Sequence, residues 1–159
     1  MSRRSARKKA FIIVYQISFR DDFVLEETYN DILSEDDEEL FEKALAIDGS
    51  DKEFIYTLAS GVYQNLGQLD GIIDANCVNW TFDRLNKVDV AILRMAIYEM
   101  LYLDDIPNKV TINEAVELAK MYGSEESSNF INGMLGKVSK MNLQKQEVQK
   151  TEIQKQVEI

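Results

Sequence analysis

The stretch VDVAILRMAIYEML, residues 88–101, decides the fold that we expect for this chain. Its apolar residues lie on most sides of a helix rather than along one stripe, which is typical of a helix buried inside a larger core. We therefore predict a central helix over residues 88–103, with the other elements packed around it.

Helical spacing also dominates the rest of the sequence. The chain has one Pro and seven Gly among 159 residues, so long stretches lack helix breakers. Its length fits one domain with a substantial core. The sequence thus predicts an all-α fold of about seven helices. The further predicted helices cover residues 2–20, two weaker segments within 21–47, one long helix over about 50–76, then 112–122, and a last helix from Ser124 to about 141.

Three local signals predict where helices begin and end. Ser50 with Glu53, and Thr111 with Glu114, have the spacing of capping boxes. Gly123 stands where a left-handed residue would close a helix. Residues after 142 are rich in Gln, Lys and Glu and poor in large apolar residues, so we expect a domain over 1–141 and a disordered or loosely helical tail over 142–159.

Charge is distributed unevenly along the chain. The net charge is -10, yet residues 1–20 contain six basic groups and no acid, whereas residues 21–53 contain 14 acids and two bases. Charges further apart than the Debye length, about 8 Å at physiological salt, are largely screened. A short basic segment can therefore bind phosphate locally on an acidic protein, and nucleic acid stays a possible partner.

The composition also excludes several function classes. The absence of His removes Ser-His-Asp and Cys-His catalysis and zinc sites of the Cys/His type. The single Cys77 lacks an activating base and is interpreted as a packed thiol. We predict no enzyme activity, no cofactor and no metal. Without an apolar run of about 18 residues or a signal-peptide pattern, we expect a cytoplasmic protein that does not span a membrane.

The first helix carries a second line of residues beside its core stripe. Arg4, Lys8, Phe11 and Tyr15 fall on that line, and Arg7 sits next to it. Cations at a helix N-terminus oppose the macrodipole, so a bound phosphate would offset a small cost. The rings can stack unpaired bases. The alternative is that the rings pack against neighbouring helices while the arginines are solvated, and the pattern alone leaves both interpretations open.

Four blocks of sequence, in their order and spacing, resemble the bacterial transcription antitermination factor NusB family. They are RRSARKKAFIIVYQ at 3–16, VDVAILRMAIYEM at 88–100, VTINEAVELAKMYG at 110–123 and SSNFINGMLGKV at 127–138. The resemblance implies two packed helical bundles and a non-enzymatic role. It implies binding of single-stranded boxA RNA from ribosomal RNA operons, together with the ribosomal protein NusE, in the antitermination complex of RNA polymerase.

The resemblance also assigns roles to individual residues. Asp89 matches an acidic residue that contacts the ribosomal protein. Ser5 stands where many members have another arginine, and Lys8 and Lys9 restore that charge. Asn113 and Glu114 are interpreted as capping and packing residues in preference to the alternative, direct contact with RNA. The implied RNA-binding residues are Arg3, Arg4 and Arg7 of the arginine-rich motif, Lys8 beside them, Tyr15 at the end of that motif, and Phe130 of the FING block.

Two other function classes remain as alternatives. NusB-like helical domains also precede RNA cytosine methyltransferase domains, but such an enzyme needs a further nucleotide-binding domain that this sequence does not show. The third class is a helical protein-interaction module with an acidic face, in which the N-terminal arginines are incidental. An RNA-binding assay with and without the ribosomal protein distinguishes these classes.

Overall fold

A computed structural model describes residues 2–39, 49–78 and 80–141 of the chain. Within these ranges it contains seven α-helices and no strand, which confirms the all-α prediction. The second weak segment, near residues 40–45, and the tail over 142–159 lie outside the described residues. The helices are α1 Arg3–Ile17, α2 Leu25–Glu39, α3 Gly49–Gln64, α4 Leu66–Ala75, α5 Lys87–Tyr102, α6 Asn108–Tyr122 and α7 over 127–141, with a 3-10 turn at Phe82–Arg84.

Helix α5 lies at the centre, as its sequence predicts. It packs against α1, α3, α4 and α6, and every residue from 89 to 97 is buried. Helices α1, α2 and α3 contact one another, α6 contacts α5, and α4 contacts both α5 and α3. Helix α7 contributes Ile131 and Leu135 to the same core. The expected arrangement of two packed bundles is therefore confirmed, with α5 shared between them.

The single long helix predicted over 50–76 is wrong, because the chain breaks at Asn65 between α3 and α4. The Asn65 side-chain amide donates to the carbonyl of Gly61 at 2.7 Å, and its backbone N–H donates to Val62 at 3.1 Å. An Asn side chain that bonds nearby backbone competes with the regular helix ladder. The apolar spacing continues across the break, so periodicity alone does not reveal it.

Neither predicted capping box forms. Helix α3 begins at Gly49, so Ser50 lies inside its first turn. Helix α6 begins at Asn108, so Thr111 also lies inside the helix, where its side chain is buried. In both places the helix starts earlier than the capping residue predicts.

Gly123 does not adopt the predicted left-handed conformation. Its φ of -95° and ψ of -172° are extended and open to any residue. The constraint on this position is space, since a Cβ atom there would lie 2.6 Å from the Ser127 side chain and 2.8 Å from the Ala119 carbonyl oxygen. Glycine therefore allows the chain to turn tightly from α6 towards α7.

An ion pair between Arg7 and Glu99 lies inside the core. The Arg7 Nη2 group donates to Glu99 at 2.7 Å, and the two side chains are only 6% and 3% exposed. The Thr111 hydroxyl adds a contact to the same carboxylate at 3.4 Å. The expectation that Arg7 lies outside the core is therefore wrong, because a carboxylate 92 positions away faces it. This cluster joins α1, α5 and α6.

None of the helices in the described ranges combines the length and the apolar character that crossing a bilayer requires.

We predict that Glu99→Gln lowers the free energy of unfolding by about 3–5 kcal/mol, since it leaves the buried Arg7 charge without a counter-ion. Urea denaturation measures the change. Asp104→Asn removes an exposed carboxylate just beyond α5 and serves as the control, with an expected change within about 0.5 kcal/mol. Equal stability of the two variants would contradict a structural role for the buried pair.

Candidate nucleic-acid interface

Arg4 lies in the first turn of α1 and faces α6. Its Nε and Nη2 groups donate to the two carboxylate oxygens of Glu114 at 3.1 and 3.0 Å. The Arg4 side chain stays 58% exposed, whereas that of Glu114 is 16% exposed. The hydrogen bonds that Arg4 donates to Glu114, together with the negative charge of Glu114, raise the pKa of Arg4 above its usual value. The guanidinium is thus a permanently charged group, held by one edge and open to solvent.

Arg3 faces the opposite neighbour, α3. Its guanidinium donates to the Ser50 carbonyl at 3.3 Å and to the Ser50 hydroxyl at 3.1 Å, and it lies 3.6 Å from Asp51. It also sits over the ring of Phe54, 4.4 Å from the centroid, which is cation–π geometry. Half of the Arg3 side chain remains exposed.

The structure brings three of the four predicted cations to the surface. Arg3 and Arg4 are exposed, and Lys8 is half-buried one turn further along α1 with no ion pair to another described residue. Arg7 is not among them, because its side chain is engaged in the core. The predicted RNA contact of Arg7 is therefore not available in this conformation.

A row of four aromatic rings follows these cations. Phe11 stacks on Tyr122 of α6 at 4.9 Å and on Tyr15 at 5.8 Å, and Tyr15 contacts Phe19 at 4.8 Å. Phe11 is only 4% exposed, so the packing interpretation is correct for that ring. Tyr15 is half-buried, whereas Phe19 and Tyr122 are exposed. The rings open to solvent are therefore Tyr15, Phe19 and Tyr122.

These contacts also define how α1 and α6 lie. Arg4 pairs with Glu114 and Phe11 stacks on Tyr122, so residues 4–11 of α1 and residues 114–122 of α6 run in the same direction, with a side-chain contact at each end. At 1.5 Å per residue, the cationic end and the aromatic end are separated by roughly 10 Å. Sequence reasoning missed Tyr122 because only tertiary packing brings α6 beside α1. Phe19 had a local signal, four residues after Tyr15.

A second surface feature lies beyond the end of α6. Phe130 and Asp89 line one groove, together with Trp80, Arg84 and Ser124. The Phe130 ring is half-buried and the Trp80 side chain is 61% exposed. The structure therefore brings together the predicted RNA residue of the FING block and the predicted protein-contact residue. Trp80 was not predicted as a site residue, because its exposure depends on how the short 3-10 segment packs.

Asp89 forms a buried wall of this groove rather than an exposed acidic contact. The residue is only 7% exposed, and its Oδ1 atom has no hydrogen-bond partner among the described residues. Burial raises the pKa of the Asp89 carboxyl, which a hydrogen bond from Ser127 partly opposes. A charge in the first turn of α5 also favours the helix N-terminus. One carboxylate oxygen therefore lies without a partner just beneath the surface of the groove.

The remaining candidates for chemistry are structural. Cys77 is half-buried, its thiol donates to the Ile73 carbonyl at 3.3 Å, and burial raises its pKa, so the reactive thiolate is disfavoured. In the described ranges, no three His, Cys, Asp or Glu side chains are grouped in a way that could hold a metal ion.

Comparison with known proteins identifies close relatives. A sequence profile of the NusB family matches residues 4–140. The transcription antitermination protein NusB of Acetivibrio thermocellus is 45% identical over 143 residues, which cover 90% of this chain and 92% of the relative. The protein of the same name from Natranaerobius thermophilus is 44% identical over 139 residues, covering 87% and 95%.

Solved structures show the same fold. NusB of T. maritima is 37% identical, with a TM-score of 0.77 over 88% of this chain and 92% of that chain. A chain in a crystal structure of antitermination factors NusB and NusE with double-stranded RNA is 23% identical, with a TM-score of 0.75 over 87% and 96%. The second likeness concerns the fold alone.

The raised pKa of Asp89 predicts a pH effect on stability. An unfolded Asp has a pKa of about 3.9, so between that value and the higher folded pKa the folded state binds more protons. The contribution of Asp89 to the free energy of unfolding therefore rises as the pH falls through this window and is lost at higher pH. We expect D89N to remove this dependence.

Chemical denaturation between pH 7 and pH 4 measures how the free energy of unfolding depends on pH. The stability of D89N relative to the unmutated protein is expected to be highest at pH 7 and to decline towards pH 4. D83N, which removes an exposed carboxylate from the nearby 3-10 turn, is the control. A constant difference between D89N and the unmutated protein across this range would show that burial does not disfavour the Asp89 charge.

Proposed function

The chain belongs to the NusB family and is a transcription antitermination protein, and on this premise we propose that it binds boxA-type single-stranded RNA of ribosomal RNA operons together with the ribosomal protein NusE. The complex then supports processive transcription by RNA polymerase in the cytoplasm. The role is not enzymatic, and we assign it to residues 1–141.

One observation carries the RNA proposal. Arg3 and Arg4 stand half-exposed in the first turn of α1, with their guanidinium groups held by two different helices. Arginine binds phosphate through two parallel N–H bonds, which favours planar and fixed guanidinium groups. Lys8 adds a third cation one turn away. This cluster supports phosphate binding even though the whole chain is acidic.

The rings favour a single-stranded ligand. Bases in a duplex are stacked on each other, whereas unpaired bases can stack on exposed aromatic side chains. Tyr15 and Tyr122 stand beyond the cations, and Ser124, two residues after Tyr122, lines the groove of Phe130. We propose that RNA runs from the arginines over these rings to Phe130.

The groove of Asp89 is proposed as the contact for the ribosomal protein. Asp89 has a buried carboxylate oxygen without a partner in the described part of the chain, and a donor from a basic protein would satisfy it once the groove side chains move aside. The net charge of -10 attracts a basic partner over a longer range. Arg7 acts indirectly in this scheme, because it fixes α1 on α5.

The two alternative functions, an RNA methyltransferase and a protein-interaction module, are not equally supported. The relatives that match over 92% and 95% of their own lengths are antitermination proteins, which disfavours an RNA methyltransferase role. A protein-interaction module without an RNA role is distinguished by the experiment that follows, because it would bind the ribosomal protein and leave RNA unbound.

We expect the double variant R3A/R4A to bind boxA-like RNA about tenfold or more weakly, because two phosphate contacts are lost. The slope of log K against log salt should fall by about 1.4, at roughly 0.7 for each contact to single-stranded RNA. Fluorescence anisotropy with labelled boxA-like and scrambled RNA, with and without the ribosomal protein, measures both quantities.

R20A is the matched control for this variant. Arg20 is an exposed arginine just beyond the other end of α1, and it contacts Gln16 and Asp22 of its own segment. The charge change per residue is the same, but RNA affinity is expected to stay within about twofold. Equal RNA affinity and salt slope for R3A/R4A and the unmutated protein would refute the arginine site.

We further expect Phe130→Ala to weaken RNA binding by about 1–3 kcal/mol, the value of one stacked base. The ring is half-buried, so the free energy of unfolding should fall by less than the roughly 3–5 kcal/mol of a fully buried Phe. Phe82→Ala truncates a half-buried ring outside the groove and controls for packing. A large loss of stability with RNA affinity preserved would place Phe130 among the packing residues.

A further inference from the structure

We propose that Glu114 is a positioning residue that holds Arg4 in the orientation in which it binds an RNA phosphate. This inference rests on the proposed RNA-binding function. It gives Glu114 a role different from the capping role that the sequence predicts, since α6 begins at Asn108 and the carboxylate points away from the helix end towards α1.

The hydrogen bonds of Arg4 leave a phosphate-binding edge free. A guanidinium has five N–H donors, and Glu114 occupies one on Nε and one on Nη2. The other three, two on Nη1 and one on Nη2, make no hydrogen bond to the described residues. The side chain is 58% exposed, so these donors can reach a ligand while the bonds to Glu114 persist.

Glu114 is well placed to act as an anchor. It is 16% exposed, lies in the second turn of α6, and is backed by the contact between α5 and α6. Its partner Arg4 is 110 positions away on another helix. By comparison, the contacts of Arg20 are with residues two and four positions away, so they do not tie that arginine to a second helix.

Two opposite effects of Glu114 on RNA binding must be compared. Its negative charge repels a phosphate on the far edge of the guanidinium, roughly 7 Å away, which weakens binding by less than about threefold in water and by less still at physiological salt. A free arginine side chain loses conformational freedom when it binds a ligand, which weakens affinity by about two- to tenfold. Because Glu114 already holds Arg4 in place, most of this loss does not occur on RNA binding. Where the phosphate stays in solvent on the exposed edge of Arg4, positioning is the larger effect, and the sign of the E114Q change reports which effect dominates.

A double-mutant cycle tests this proposal in the full-length chain. It compares the unmutated protein, E114Q, R4K and R4K/E114Q for binding of boxA-like and scrambled RNA of equal length. We expect E114Q to weaken both RNAs by about two- to tenfold with an unchanged ratio, since Arg4 binds phosphate and not bases. In the R4K background E114Q should have less than about a twofold effect, because lysine has no planar fork to hold.

E117Q is the local control. Glu117 lies one turn further along α6, is about half-exposed and pairs with Lys120, so its loss changes the charge near Arg4 without removing the bidentate contact. RNA binding by E117Q is expected to be unchanged or slightly tighter. Thermal unfolding of every variant checks that the fold is retained, and affinities are compared only for folded protein.

Three results would overturn the inference. Tighter or unchanged RNA binding by E114Q shows that Glu114 masks Arg4 or has no effect on it. An equal effect of E114Q in the R4K background shows that Glu114 acts independently of the guanidinium. In both cases RNA binding by the unmutated protein leaves the proposed function standing. Failure of the folded, unmutated protein to bind either RNA overturns the proposed function and this inference together.

Discussion

The buried pair of Arg7 and Glu99 is the interaction on which the rest of the molecule depends. Removing two charges from water is costly, and the pair is tolerated because Arg7 donates three close hydrogen bonds to the carboxylate, with Thr111 beside them. A salt bridge of this kind is directional, whereas the apolar contacts around it are not. It therefore fixes both the rotation and the position of α1 on α5, and with them every residue that α1 presents to solvent.

The three arginines of the first helix consequently do different things. Arg7 reaches inwards to α5, Arg3 reaches sideways to α3, and Arg4 reaches to α6 on the other side. Each guanidinium meets a different neighbour, so the start of α1 is tied to both bundles at once. The basic segment is thus an ordered part of the fold, and its exposed donors are presented in fixed directions.

The sequence predicts some of this organisation well and some not at all. The apolar residues on most sides of α5 and the core stripe of α1, which contains the buried Ala6, Ala10 and Val14, are local patterns. Both were sufficient to predict those two helices. The burial of Arg7 and Phe11 depends on Glu99 and Tyr122, which are remote in sequence, so no local pattern reports it. The break at Asn65 was missed for a different reason, because a single side-chain amide interrupts a helix whose apolar period continues unchanged.

Trp80 gives the groove of Asp89 and Phe130 an optical property. It is the only tryptophan in the sequence, and its indole stands largely in solvent at the edge of that groove. The tryptophan emission of the protein therefore originates at one site, next to a ring and a carboxylate that are proposed to meet different ligands. The molecule thus carries an intrinsic fluorophore where the RNA and the protein partner are proposed to meet. Changes in its emission as each partner is added would follow binding at this groove without an attached label.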